Sequence, residues 1–161
     1  MNARTFKISL ASTVAVAALA MTLGFAGLGE AEAKATMHVV KTPTCGCCSG
    51  WVDLAREARF EVKVTDTGDY AGMKTEAGVP EAMQSCHTTT VDGYVVEGHV
   101  PFEAIEKLLA EKPDAEGIAV PGMPMGSPGM GDDPTAVYEV YAYGKGAGDR
   151  TLFYTAGNAR R

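Results

Sequence analysis

The chain has no excess of basic residues: 14 lysines and arginines stand against 20 aspartates and glutamates, so the net charge is −6. Domains that bind nucleic acid usually carry a basic patch or arm, and nucleic acid is therefore not an expected partner. The sequence also lacks a glycine-rich phosphate loop, a paired-carboxylate signal and a Ser/His/Asp order. Hydrolysis and phosphoryl transfer are therefore not indicated.

Long apolar runs are confined to the N-terminus. Arg4 and Lys7 form a basic start, an apolar run extends from Ile8 to Ala26, and Ala31-Glu32-Ala33 fits an A-x-A cleavage site. A membrane anchor is the alternative, because roughly 20 apolar residues can span a bilayer. We predict a signal peptide over residues 1–33, cleaved near Ala33, and a periplasmic mature chain with no stable membrane insertion.

Cysteine is scarce, yet three of the four cysteines fall within four positions, at Cys45, Cys47 and Cys48, and the fourth is Cys86. Four cysteines in an exported protein would usually form two structural disulfides spread along the chain. Adjacent cysteines pair only through a strained ring, and the pair Cys45–Cys47 is little better. The easy bridges are Cys45 to Cys48 and one of the three to Cys86. The clustering favours a reactive or metal-binding site.

The apolar pattern predicts an α/β domain with the element order β-α-β-α-β-β-α over residues 34–113, which is the order of a small thioredoxin-like domain. Asp92-Gly93 marks a hairpin turn. Thr44 or Ser49 is expected to cap the first helix. Its core face is predicted to contain Trp51, Leu54, Ala55 and Ala58. The other elements are strands Thr36–Lys41, Phe60–Thr65, Ser85–Val91 and Tyr94–Glu97, and helices over Tyr70–Ala77 and from Pro101 to about Lys112.

The composition changes after residue 113. Residues 114–134 are predicted to form a Met/Pro/Gly-rich loop, because Val120–Met130 holds too many prolines and glycines for regular structure. Long irregular loops are uncommon in compact domains and are often functional. Two further strands, Ala136–Tyr143 and Thr151–Thr155, predict an added β-hairpin over residues 135–161 that packs on the same domain.

The cysteines stand where thiolate chemistry is favoured. Cys45 and Cys48 form a C-x-x-C pair at a predicted helix start, where the helix dipole stabilises a thiolate. Cys47 distinguishes the two possible functions, thiol exchange and metal binding. In an exchange enzyme a third thiol would form wrong disulfides, whereas in a metal site it is one more ligand. The start of the strand with Cys86 is expected to face the helix cysteines. We therefore predict a metal site made of four cysteines.

Ligand softness indicates which metal is bound. Thiolates with thioethers suit Cu(I), whereas thiolates with imidazole also suit zinc. Met123, Met125 and Met130 favour copper and are candidate ligands, although methionines also fill irregular gaps in a core. His87, next to Cys86, is a further candidate, but neighbours on a strand point to opposite faces. We expect His99 to cap or orient, His38 to lie at the surface, and Trp51, Met73 and Met83 to belong to the core.

Several motifs resemble those of the CopG-like family, a bacterial family first described as a domain of unknown function whose members often accompany copper-resistance genes. The matching stretches are Thr44–Cys48, Ser85–Thr88, Gly93-Tyr94, Glu97–Pro101 and Ala119–Met130. The resemblance implies a thioredoxin-like fold and copper bound by cysteine sulfur in a multinuclear cluster that changes oxidation state. By position, the four cysteines match the family pattern, and His87, Met123 and Met130 match the accompanying motifs. Met125 departs from the pattern.

Three functions are left open by the sequence. We predict a periplasmic copper-binding protein for copper resistance or homeostasis, with Cu(I) on clustered thiolates and other periplasmic copper-handling proteins as partners. Enzymatic activity is uncertain, and a copper oxidoreductase is the form it would take. The alternatives are a thioredoxin-like thiol–disulfide oxidoreductase and a zinc-stabilised structural module. The position of the Cys86 sulfur relative to the other three separates a shared site from an ordinary dithiol.

Overall fold

The computed structural model describes residues 33–157, so the predicted signal peptide lies outside the described residues except for its last position. The described chain forms a mixed seven-stranded sheet with three helices, which confirms the α/β class. The strands are β1 Thr36–Lys41, β2 Glu61–Asp66, β3 Thr88–Val91, β4 Tyr94–Glu97, β5 Gly117–Ala119, β6 Val137–Tyr143 and β7 Thr151–Gly157. The helices are α1 Gly46–Glu57, α2 Tyr70–Glu76 and α3 Phe102–Glu111. No helix in this range is long and apolar enough to cross a membrane.

The strand order in the sheet is β2-β1-β3-β4-β5-β6-β7. β1 pairs with β2 and β4 pairs with β5 in parallel, and the remaining neighbours are antiparallel. From β1 to α3 the elements follow the predicted order β-α-β-α-β-β-α. The thioredoxin-like classification of this part stays a prediction.

One face of α1 packs into the core, and it includes Trp51 and Ala55 of the predicted face but not Leu54. Leu54 is 36 % exposed, whereas Val52 is buried. The buried residues of α1 are Cys48, Trp51, Val52 and Ala55, which follow the spacing i, i+3, i+4, i+7 of a helical stripe. The predicted face was therefore shifted around the helix axis, and Leu54 instead borders an open groove of about 640 Å³.

The strand β2 buries less than its alternating pattern predicted. Val62 is half-buried and Val64 is 37 % exposed, while Phe60 is buried but precedes the strand. The cause is position, since β2 lies at the edge of the sheet and pairs only with β1 among the described strands. An edge strand has a neighbour on one side only, so its side chains are less completely covered.

The segment after α3 contains a strand that the sequence did not predict. Gly117–Ala119 was placed in the Met/Pro/Gly-rich loop, but it forms the fully buried strand β5 between β4 and β6. Three residues are too few to show a period of two, which explains the error. β6 and β7 lie close to their predicted bounds, and β6 joins the sheet through β5.

The β3–β4 hairpin sets the register at the functional end of the sheet. Asp92 and Gly93 both have positive φ, 48° and 82°, as a two-residue turn of the primed type requires. The register pairs Thr88 with Glu97, and the amide of Gly98 continues it by donating to the carbonyl of His87 at 2.8 Å. Extending this count by one more residue would set Cys86 opposite His99, and the Cys86 sulfur and a His99 ring nitrogen do lie within 4.8 Å of each other.

Candidate metal centre

Three of the four cysteines occupy the first turn of α1. Neither predicted cap is used, because Cys45 is the N-cap residue and its sulfur accepts a hydrogen bond from the Cys48 amide at 3.3 Å. The first amides of a helix have no partner within the helix, so this position favours electron-rich sulfur. The Ser49 hydroxyl instead donates to the Cys45 carbonyl at 3.2 Å.

The sulfur of Cys86 lies against all three helix-start sulfurs. It is 3.3 Å from Cys45 Sγ, 3.4 Å from Cys47 Sγ and 3.3 Å from Cys48 Sγ, and Cys45 Sγ is 3.5 Å from Cys47 Sγ. Cys45 and Cys48 form a disulfide with a Cα–Cα distance of 5.3 Å, one of the two bridges that the spacing allowed. The expected convergence of four sulfurs is therefore present in the structure.

The four cysteines differ in their access to solvent. Cys48 is fully buried, while Cys45, Cys47 and Cys86 are half-buried. Thr44 and Pro43, just before the helix, are exposed. The cluster thus has a buried base and an open rim through which an ion or another thiol can reach the sulfurs.

The Cys86 thiol resists ionisation on its own. Burial, the hydrogen bond with Cys47 and the negative charge of Cys47 raise its pKa to about 12, and the Lys74 ammonium opposes this rise. Desolvation disfavours the charged form of a buried thiol. Because metal binding replaces the proton with a cation, a metal offsets the charge that this site otherwise disfavours.

Two buried histidines extend the cluster on the side of Cys86. His87 and His99 are both 0 % exposed, with ring centres 5.1 Å apart in an edge arrangement. Each offers a ring nitrogen within 4.8 Å of the other and of the Cys86 sulfur. Both nitrogens of His87, and Nε2 of His99, are buried without a hydrogen-bond partner. Buried polar atoms are normally paired, so these nitrogens are candidate ligand atoms.

Both imidazoles are held neutral. Burial is the main cause that lowers the pKa of His87, to about 3, and the charges of His99, Lys74 and Lys41 add to it. Burial also lowers the pKa of His99, partly offset by the hydrogen bond of Nδ1 to the Pro128 carbonyl at 2.7 Å. A neutral imidazole whose other nitrogen is fixed by a carbonyl is the form that binds metals.

His99 was expected to cap or orient, with metal ligation as the lesser alternative, and the structure places it among the candidate ligands as well. The signal that identifies it was in the sequence. The two-residue turn Asp92-Gly93 fixes the register of the hairpin, and counting back from it sets His99 across from Cys86. The objection to His87 was that neighbours on a strand point to opposite faces. It does not apply here, because Cys86 and His87 precede β3, which begins at Thr88.

The Met/Pro/Gly-rich loop connects the two sides of the cluster. At its start Gly122 pairs with Ser85, the neighbour of Cys86, and the Ser85 hydroxyl donates to the Gly122 carbonyl. At its end Gly129, with φ of 83°, packs against α1 so closely that a Cβ there would lie 2.7 Å from the Cys47 carbonyl oxygen. Glycine is thus required where the loop returns to the helix start.

The three loop methionines differ in exposure. Met123 is 54 % exposed and Met125 is 60 % exposed, whereas Met130 is half-buried. Their role as ligands stays a prediction, as does that of the four cysteines and His87. His38 is exposed on β1, and Trp51, Met73 and Met83 are buried in the core, as expected. Trp51 also borders the site, because its ring centre lies 4.7 Å from that of His87.

The donor set suits a soft cation. It offers four cysteine sulfurs in mutual contact and two neutral imidazoles that share Cys86 with them. Thiolate and imidazole are ligands of Cu(I) and of zinc.

The comparisons with known proteins agree with this chemistry. Residues 83–130, which include Cys86 and both buried histidines, match a family model described as a protein of unknown function, DUF411. No curated protein matches the chain. Two solved structures titled copper resistance protein CopG, forms 2 and 1, are 38 % identical, and the match covers 76 % of this chain and 98 % of theirs, with TM-scores of 0.70 and 0.69.

Proposed function

Since the chain belongs to the CopG-like family of copper resistance proteins, we propose that it binds Cu(I) through Cys45, Cys47, Cys48 and Cys86. In this proposal it acts in copper resistance or homeostasis in the periplasm, where copper is its cargo. Export is supported by the sequence of residues 1–33, and a thioredoxin-like core is supported by the element order from β1 to α3.

One observation carries the proposal, namely the contact of the Cys86 sulfur with the three helix-start sulfurs at 3.3 to 3.4 Å. Cys86 is 38 residues from Cys48 in the chain, so chain proximity does not explain the contact. A dithiol exchange enzyme needs two sulfurs, whereas a polynuclear copper site uses additional thiolates as bridges.

We include His87 and His99 in the proposal as nitrogen ligands. Unpaired buried nitrogens cost free energy in the metal-free protein, and coordination removes that cost. Met130 and the exposed Met123 and Met125 complete the set of candidate thioether donors. Redox activity on copper belongs to the same proposal: the reduced Cys45–Cys48 pair would give two electrons to two Cu²⁺ ions, which yields two Cu⁺ ions, two protons and the disulfide found in this fold.

Copper loading tests the proposal directly. The reduced protein, titrated with Cu(I) under anaerobic conditions against a competing chelator, is expected to retain more than one copper per chain. The two donor groups that share Cys86 together hold six donors, more than the four that one tetrahedral ion takes. Titration with Zn²⁺ under the same conditions provides the comparison. Retention of less than one copper per chain would contradict the proposal, and tighter retention of one Zn²⁺ would favour the structural zinc module.

A thiol–disulfide oxidoreductase is the second candidate, favoured by the Cys45–Cys48 disulfide at the start of α1. The substitution Cys47→Ser separates the two functions. If copper is the cargo, loss of this sulfur is expected to lower Cu(I) affinity by about ten-fold or more, since even outer-shell changes cost 10–100-fold. Insulin-reduction activity is expected to be negligible in both the wild type and the variant. An exchange enzyme would show strong activity that survives Cys47→Ser and disappears in Cys45→Ser.

A further inference from the structure

A buried ion pair lies beside the segment that carries Cys86 and His87. Lys74 of α2 and Glu97 at the end of β4 are both 0 % exposed, and Lys74 Nζ lies 2.5 Å from Glu97 Oε1. Charged side chains are almost never fully buried unless paired. A buried pair is also weak evidence for stability, because apolar replacements are often neutral or stabilising. The location of the pair points to another purpose.

The Glu97 carboxylate holds both ends of a four-residue segment. Its Oε1 accepts a hydrogen bond from the Ser85 amide at 2.7 Å, and its Oε2 accepts one from the Thr88 hydroxyl at 2.6 Å. The two residues between these contacts are Cys86 and His87. A single side chain therefore fixes the backbone on both sides of the two candidate ligands.

Regular pairing between β1 and β3 does not hold Cys86 and His87 in place. β3 begins at Thr88, so Cys86 and His87 stand before the strand, and their backbone is not held by the β1–β3 pairing, which runs from Thr88 to Thr90. Only the Gly98 amide, which donates to the His87 carbonyl, continues the β4 side. The bridge between Ser85 and Gly122 holds the segment before Cys86, and the position of the Cys86 sulfur otherwise depends on side-chain contacts to its neighbours.

Lys74, on α2, makes further contacts with the residues around this segment. Its ammonium lies 3.4 Å from Thr88 Oγ1 and 4.6 Å from the centre of the Tyr70 ring. The Tyr70 hydroxyl in turn donates to the Ser85 carbonyl. Lys74 also supplies the countercharge that a buried carboxylate requires.

We propose that Glu97, paired with Lys74, is the positioning residue of the metal centre. It places the Cys86 sulfur against the three helix-start sulfurs and holds His87 beside His99. The proposal rests on the proposed function, in that the residues it positions are the copper ligands. Glu97 acts through the segment Ser85–Thr88 and binds no metal itself.

Two neutral variants separate positioning from stability. Lys74→Met/Glu97→Gln removes both charges but keeps an amide oxygen that accepts from the Ser85 amide. Lys74→Met/Glu97→Leu fills the same space without an acceptor. The Gln variant is expected to bind Cu(I) with the wild-type stoichiometry, whereas the Leu variant is expected to lose about ten-fold or more in affinity against a chelator. Wild-type copper binding by a folded Leu variant would overturn the proposal.

A second measurement needs no metal. When the reduced, metal-free protein is oxidised with diamide, each disulfide that forms passes two electrons and two protons to diamide. The wild type and the Gln variant are expected to form disulfides that contain Cys86, because Cys86 Sγ lies 3.4 Å from Cys47 Sγ. In the Leu variant their yield, measured by peptide mapping, is expected to fall about ten-fold. This pattern would support positioning even if the wild type bound no copper, and equal yields would refute it.

Two further variants complete the design. Lys107→Met/Glu111→Leu removes an ion pair on the surface of α3 and is the matched control, expected to leave copper binding and the disulfide map unchanged. If circular dichroism shows that the Leu variant is unfolded, Thr88→Val carries the test, because it removes one of the two Glu97 contacts in a side chain of equal size. It is expected to lower both Cu(I) affinity and the yield of Cys86 disulfides several-fold, and wild-type values for both would contradict positioning.

Discussion

Replacing Cys86 with serine is expected to reduce copper binding from more than one Cu(I) per chain to one or none, and to lower the affinity for the remaining ion by on the order of a hundred-fold. The reason is that the Cys86 sulfur contacts the other three sulfurs and is the one cysteine sulfur that also groups with both imidazoles, whose ring nitrogens lie within 4.8 Å of it. Its loss removes the shared ligand of the two donor sets. Anaerobic titration with Cu(I) against a chelator measures both quantities.

Cys48→Ser is the informative comparison for this experiment. Cys48 contacts Cys86 but is fully buried at the base of the cluster, so its removal is expected to cost affinity without separating the two donor sets. Far-UV circular dichroism of both variants should match the wild type, because serine keeps the size of the side chain. A Cys86→Ser protein that retains the wild-type number of copper ions would refute a site centred on Cys86.

Replacing His87 with leucine is expected to stabilise the metal-free protein while weakening copper binding. Both ring nitrogens of His87 are buried without partners, and each such group costs about 1–3 kcal/mol. Leucine has nearly the same volume and no polar atoms, so the free energy of unfolding at pH 7 should rise by at least the cost of one such group, about 1–3 kcal/mol. Chemical denaturation in the presence of a reductant and a metal chelator measures this change.

The gain should increase in acid. The pKa of His87 is lowered to about 3 in the folded protein from 6.5, so between these values the unfolded chain binds a proton that the folded chain does not. Titration of His87 therefore does not reduce the free energy of unfolding above pH 6.5. As the pH falls from 6.5 toward 3, it lowers the free energy of unfolding by about 1.4 kcal/mol per pH unit. The wild type should lose this stability and His87→Leu should not.

His38→Leu is the matched control, because His38 is exposed on β1 and the substitution has the same chemistry. It should leave the affinity for Cu(I) unchanged, and its stability at each pH is the reference against which His87→Leu is compared. If His87→Leu is less stable than the wild type at pH 5, the ring nitrogens of His87 have hydrogen-bond partners in solution. Their lack of partners would then no longer support a role as metal ligands.

The sequence predicted the parts of this molecule that depend on local pattern. The C-x-C-C cluster at a helix start, the hairpin at Asp92-Gly93 and the closing pair of strands each follow from residues within a short window. The meeting of Cys86 with the helix cysteines was predicted from the element order, and the structure shows the contact. The metal itself is not fixed by either.

What the sequence could not predict depends on long-range packing. Leu54 has the spacing of a core residue, but whether it is buried depends on what lies above α1, and there the chain leaves a groove. β5 is too short to show a period and is a strand only because β4 and β6 enclose it. The Lys74–Glu97 pair joins residues of α2 and β4, and no local pattern marks two such charges as partners.

The chain has a single tryptophan, and Trp51 is fully buried with its indole nitrogen donating to the Val100 carbonyl at 3.0 Å. Its ring centre lies 4.7 Å from that of His87. When tryptophan is excited selectively over the six tyrosines, the intrinsic fluorescence therefore comes from one chromophore in contact with the candidate centre. Quenching of that emission gives an optical record of site occupancy in the unlabelled protein, in real time and without any engineered probe.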